Sequence, residues 1–289
     1  MPERPRSVLG ASMTLASLLA LHPHALRAQA SVPPHDTAPT AARDPHAAQP
    51  ERPTVATHAY TVAPGYVEIE AGVQDSRPAS GSQFAAPFVA KIGLAQRTQL
   101  ELQSGYARIR GSDAVSGPMD LGIAVKQRVL EAAPVVHDLS VQGTLKLATG
   151  ARGVGTGTAD LSALLISSRP LRDAELDLNA GYTHRSGDGQ HVPTSATVLA
   201  ASFGTPIRGP LGAVAELFDF PGTGGPAGQG PALGVTVGPT WQMRPWLVFD
   251  AGAVLDVRGL GANAVYAGVT YNVGRIPGWR SAMRAGMAR

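Results

Sequence analysis

The stretch Asp138–Leu147, DLSVQGTLKL, decides the fold. Successive side chains of an extended strand point to opposite faces. Leu139, Val141, Gly143, Leu145 and Leu147 therefore share one side, and Ser140, Gln142, Thr144 and Lys146 share the other. A lysine in the middle of the polar side means that this side meets water. Two settings produce the pattern: a half-buried sheet in a soluble protein, or a membrane barrel with apolar residues toward lipid and polar ones toward a lumen. Recurrence of the pattern, and what precedes it, separate the two.

The alternation does recur. Before this stretch it runs through Val67–Val73, Phe88–Leu94, Leu100–Tyr106 and Leu121–Val129; after it come Leu176–Tyr182, Leu233–Trp241, Leu247–Leu255 and Val265–Val273. Weaker segments lie at 160–168, 194–203 and 213–220. The sum is about twelve segments of about ten residues, the length of a tilted membrane-spanning strand. The connections sort into long and short. Arg77–Ala85, Gly111–Pro118, Gly150–Thr158, Arg185–Pro193 and Pro221–Pro231 are long and rich in turn residues, whereas Ala95–Arg97, Pro206–Pro210 and Gln242–Pro245 are tight. Long outer loops alternating with short periplasmic turns are the mark of an outer-membrane barrel. Leu130–His137 fits least well, being long for a tight turn.

Charge placement points the same way. Lys91, Lys126, Lys146 and Arg128 fall on polar faces with Glu68, Glu70, Glu101, Asp120, Glu175, Asp177, Glu216, Asp250 and Asp256, and the clean apolar faces carry no charge. A charge at mid-membrane depth on the lipid side costs about 2–4 kcal/mol, so these groups belong inside. The expectation is an all-β, transmembrane, antiparallel up-and-down barrel of about twelve strands, with those polar-face residues lining the solute path. Nine acids against four bases predict a negative lumen that disfavours anions.

The ends of the chain set its compartment. Arg4 and Arg6 precede an apolar run from Val8 to Leu21, and Ala28-Gln29-Ala30 offers a cleavage site, the pattern of a secretory signal over 1–30. Residues 31–62 are Pro-, Ala- and His-rich without a period and read as a disordered leader, its His35, His46 and His58 solvated. The barrel is expected over 63–274 and a basic tail over 275–289. Charged residues make up 16% and cysteines number 0, which excludes disulfides, thiol catalysis and zinc–thiolate sites. A formal charge of +3 is too small to imply nucleic acid.

A set of short motifs, in order, resembles a known family. These are Arg52-Pro53, Thr61–Gly65 leading into Val67–Glu70, Met119–Gly122 with Lys126, Ala148-Thr149-Gly150, Asn179–Tyr182, Ala215-Glu216-Leu217 and Ala262–Tyr271. The order resembles that of the outer-membrane meta-pathway phenol degradation proteins, transporter-like barrels. Ala148 stands where that pattern has Pro, and the chain continues past Arg275 instead of ending on an aromatic residue. The resemblance implies a barrel that moves small, often aromatic, solutes, and implies no catalytic residues.

Other motifs are weak. Gly153–Gly157 and Gly222–Gly230 lack the Gly-Lys-Ser/Thr ending of a phosphate loop and read as flexible loops. His184 with Ser186, and His191 with Thr194 or Ser195, have no acid placed to orient them as a hydrolase would need. Trp241, Trp246, Tyr266 and Tyr271 flank a tight turn or a strand end, and most outward ones among them read as interfacial girdle rather than base-stacking platforms. The function expected is a channel or transporter for small solutes, with a sealed structural barrel next and a barrel-bound lipid or ester hydrolase third. Outer-membrane lipid, a small solute and the barrel-assembly machinery are the expected partners; no cofactor or metal is expected.

Overall fold

A computed structural model describes residues 44–79, 81–111, 114–187, 193–222 and 231–279. Residues 1–43, which hold the expected signal sequence, His191, most of Gly222–Gly230 and the tail beyond Trp279 lie outside the described residues. Among those described, thirteen strands form one antiparallel sheet: β1 (Tyr66–Ser76), β2 (Ser82–Ala95), β3 (Thr98–Arg110), β4 (Val115–Pro118), β5 (Leu121–Ala133), β6 (His137–Leu147), β7 (Asp160–Leu171), β8 (Ala174–Arg185), β9 (Ser195–Arg208), β10 (Leu211–Phe220), β11 (Ala232–Arg244), β12 (Leu247–Arg258) and β13 (Ala264–Arg275). Each strand but β4 pairs with its sequence neighbours, and β1 pairs with β13, so the sheet closes on itself. β4 is a four-residue strip on the upper part of β3. The result is a closed barrel of twelve long strands. No helix among the described residues is long and apolar enough to cross a membrane.

Closure matters because hydrocarbon offers no water to satisfy an open edge. The burial pattern is inverted relative to a soluble protein. Lys91, Lys126 and Glu68 are 0% exposed, while Leu102, Leu145 and Leu178 are 40–47% exposed. Apolar side chains form the outer surface, and the centre is polar.

The Leu130–His137 connection is tighter than the sequence suggested. β5 runs on to Ala133 and β6 begins at His137, with register shifts at Arg128/Leu130 and Leu130/Ala133 and left-handed backbone at Ala132 and His137. Bulges absorb the extra residues as strand. All the tight turns now lie at one rim, and both β1 and β13 meet that rim with their terminal ends.

The reading of 31–62 as a disordered leader is corrected for its described part. Residues 44–62 lie inside the barrel. The segment enters beside the β11–β12 turn, where the Ala48 amide donates to the Pro245 carbonyl at 2.8 Å. It rises to Arg52–Ala56 and returns along β7, β6 and β3. Thr61 then donates to the Gln96 carbonyl in the β2–β3 turn, and the chain passes into β1. Its histidines are not solvated: His46 stacks on Trp246, and buried His58 packs against Tyr60 at 5.3 Å between ring centroids. The composition is that of a flexible tether, but irregular backbone is stable at membrane depth when protein surrounds it and answers its polar groups.

Candidate functional site: a plugged lumen

The wall side chains supply what this plug needs. The amide of Gln49 donates to Glu68 (2.7 Å) and that of Glu51 to Glu70 (2.8 Å). The amides of Val55 and Ala56 both donate to Glu216, at 2.9 and 2.6 Å. Thr57 donates to Asn179 Oδ1 (3.0 Å), Ala59 to Ser168 Oγ (2.7 Å) and Val62 to Gln99 Oε1 (2.7 Å). In return Lys91, Ser140, Asn179 and Asn272 donate to the carbonyls of Gln49, Ala59, Thr57 and Ala47. Strand alternation places these acceptors on the inward face without any change of local structure. Three of the nine acids counted on the polar faces thus accept plug amides, which accounts for much of their excess over bases without a free negative lumen.

Charges on the plug pair with charges on the wall. Lys91 sits 2.6 Å from both Glu68 and Glu70 and 4.0 Å from Glu51. Lys126 binds Glu51 directly, with Glu101 at 3.9 Å, and donates to the Thr57 hydroxyl and the His58 carbonyl. Arg128 binds Asp138 and lies 5.2 Å from the Tyr60 ring. Breaking one partner of such a buried pair costs several kcal/mol, because the other charge is left without solvent.

On the opposite wall Arg52 reaches Asp250, 3.8 Å away. Its guanidinium lies where the Cβ atoms of Gly72 and Gly268 would be. These two glycines face each other in the β1–β13 register, so together they form a flat recess for the plug's arginine. Gly93 does the same for plug backbone, lying under the carbonyls of Val62 and Ala63. Tyr266, on the inward face of β13, lies across Gly238 and Gly252 and donates to the Val237 carbonyl at 3.2 Å.

The remaining sequence-derived residues separate. Lys146 and Asp120 lie at the long-loop end, 3.1 Å apart, with Asp160 3.2 Å from Lys146 and Arg185 3.7 Å from Asp160. Asp120 there accepts the amides of Gly150 (2.8 Å) and Thr156 (3.0 Å) and pins the β6–β7 loop. Desolvation opposes ionisation of Asp120, but these amides and Lys146 outweigh it and hold the carboxyl below its ordinary value. Glu175 and Asp177 line a cavity of about 450 Å³ between the plug and β8–β12 that reaches the short-turn rim at Pro210 and Pro245. A second cavity of about 240 Å³ lies on the long-loop side of the plug, among Val55, Gln74, Phe218, Thr236 and Leu260. Pro53 lines both.

Sequence reading missed the plug itself, and so the roles of Ser140, Asn179 and Asn272 as its partners, and it did not single out Gln99, Asp138, Asp160, Ser168 and Arg185. For Gln99, Asp138 and Arg185 the signal was available, since each has the parity of an already assigned inward residue on its strand; β7, with Asp160 and Ser168, had none assigned. His184 lies on the outer side of β8 and is exposed. Trp241 packs outside against Phe249, and Tyr271 is likewise exposed there, edge-on to Trp246.

No family model matches the chain, and no curated protein matches it. Solved structures do match. An outer-membrane channel from Pseudomonas putida F1 aligns over 74% of this chain and 97% of its own with a TM-score of 0.55 at 10% identity. The KdgM porin in complex with disordered oligogalacturonate aligns over 71% and 98%, with a TM-score of 0.50 at 10% identity. The shared property is the fold: this chain has the architecture of outer-membrane channel barrels.

Proposed function

We propose that the protein is an outer-membrane channel for small solutes whose resting lumen is closed by its own segment 44–62, so that passage requires this segment to move. The observation that carries the reading is the way the plug is held. It is bound by hydrogen bonds and ion pairs to the wall, and cavities lie on either side of it and share Pro53. A lumen closed for good has no need of so polar a seam: apolar side chains would fill it at least as stably. The signal-like N-terminus supports export to the outer membrane. Resemblance to the meta-pathway phenol family makes neutral aromatics the first solutes to try.

The absence of cysteine gives a direct test. Ala56 and Ala200 of β9 belong to one buried cluster with Phe218, and the pair Ala56→Cys with Ala200→Cys is the one to fasten the plug to β9 under oxidation. In planar bilayers the oxidised protein is silent and reduction restores conductance equal to that of the parent. Identical conductance in both states refutes the gate. The sealed structural barrel is the second reading, favoured by how completely 44–62 is paired; it requires that no variant loosening the plug conducts.

A further inference from the structure

We propose that Arg108 and Arg110 form a binding site for the phosphate groups of a phosphorylated glycolipid in the leaflet at the long-loop end; the proposal rests on the barrel standing in a membrane, not on the gate. On β3 the inward residues are Gln99, Glu101, Gln103 and Gly105, so Leu102, Tyr106, Arg108 and Arg110 share the outward face. The strand is apolar outside as far as Tyr106 and then carries two arginines in succession. Both are exposed. Neither forms an ion pair or hydrogen bond within the described residues, whereas Lys91, Lys126, Arg128 and Arg185 on the inward faces all have acid partners.

Depth fits a phosphate. In the β2–β3 register Arg108 stands opposite Phe84, an exposed aromatic at the end of the outward run Ile92, Ala90, Phe88, Ala86, Phe84. Eight residues at about 3.4 Å each, tilted by roughly 40°, place Phe84 about 21 Å above Ile92. That is close to the height of an apolar barrel band, roughly 25 Å. Arg108 is then level with the boundary and Arg110 stands about 5 Å beyond it. At that level a positive charge costs little and a lipid phosphate is within reach.

The neighbours leave the pair available. Across β4 the partner of Arg108 is Ser116, and across β2 the partner of Arg110 is Ser82, so two hydroxyls and, among the described residues, no carboxylate flank them. Among the described residues the acid on the outward side nearest in register is Asp75, opposite Phe84, and it is engaged by Arg77 at 3.3 Å. Two guanidinium forks on one face, two residues apart, match an anion with several acceptor oxygens, for which arginine geometry is suited. A glycolipid carrying phosphate on its sugar head brings such groups to this level, and its acyl chains lie against Phe84, Phe88 and Tyr106.

The test is a titration of the purified full-length barrel in detergent with diphosphoryl lipid A, followed by native mass spectrometry. The parent binds it, and Arg108→Gln with Arg110→Gln lowers the affinity about tenfold or more. Arg169→Gln with Arg275→Gln, at the opposite rim, leaves it unchanged. Heat-shifted migration on unboiled gels shows which variants are folded, and the single changes Arg108→Gln and Arg110→Gln serve if the double variant is not. Equal binding of dephosphorylated lipid A, equal competition by phosphatidylglycerol, or parental affinity in the folded variants overturns the proposal. A chain without conductance that still binds in this manner sinks the channel and leaves the lipid site standing.

Discussion

Glu216→Ala is the sharpest test of how the plug is held. Glu216 is buried on β10 and receives two plug amides, from Val55 at 2.9 Å and from Ala56 at 2.6 Å. A hydrogen bond to a charged group contributes about 1.5–3 kcal/mol net, so two contribute about 3–6 kcal/mol. Water entering the vacated space satisfies part of what the amides lose, which selects the lower figure. About 3 kcal/mol corresponds to a factor of roughly 150 in the equilibrium between seated and lifted plug. Hydrogen–deuterium exchange reads that equilibrium without any assumption about transport. Protection of the Val55 and Ala56 amides should fall by about that factor, while a wall amide such as that of Leu217 keeps its parental protection. Glu216→Gln retains one acceptor oxygen and should fall between. Parental protection at Val55 and Ala56 in the alanine variant would show that the carboxylate does not hold the plug.

Gly268→Ala should unseat Arg52 while the barrel still assembles. The new methyl group meets Arg52 Nε at 2.6 Å and Asp250 Oδ2 at 2.9 Å, both ends of flexible side chains. Gly238→Ala drives its methyl into the Ala251 carbonyl, so it should impair assembly itself, seen as loss of heat-modifiable migration. Leu145→Arg puts a charge on the lipid face at a cost of about 2–4 kcal/mol if at mid-depth. Gln142→Arg, on the buried face beside Glu101 at 3.4 Å, should be better tolerated; equal loss of folded protein from both would contradict the face assignment. The Asp120 carboxyl titrates below its ordinary value, so the stability it lends is present above that value and is lost as pH falls through the lower one. Exchange at the Gly150 and Thr156 amides should therefore stay slow between pH 7 and pH 5 and rise only in strong acid; loosening within that interval would count against the carboxylate as the anchor of the loop.

The wall of this barrel was legible in the sequence because period-2 alternation is enforced by lipid on one side and polar partners on the other. Even β7, β9 and β10, whose alternation is weak, lie where turn residues bracketed them. The plug was not legible because it has no period to show. Its hydrogen bonds go to side chains far along the chain, 122 residues away for Thr57 with Asn179 and 161 for Val55 with Glu216, and nothing local in a Pro- and Ala-rich stretch records an acceptor at that separation. Glu68, Glu70, Glu101 and Glu216 are buried, but where the sequence offers only the wall's own bases and a solute as their partners, the plug supplies several of them. Leu130–His137 misled for a different reason: bulged strand and long loop look alike until the register is known.

The plug also constrains the order of events during assembly. It precedes β1 in the chain, yet its contacts reach the last strands in sequence: Ala47 with Asn272, Arg52 with Asp250, Val55 with Glu216. None of those partners is in place until β10, β12 and β13 have joined the sheet and β13 has found β1. Seating is thus the final step, and it cannot run ahead of closure. Until then the plug lacks its holds on that part of the wall. A chain arrested one hairpin short would stay hydrated and loose inside, a difference that a protease could read.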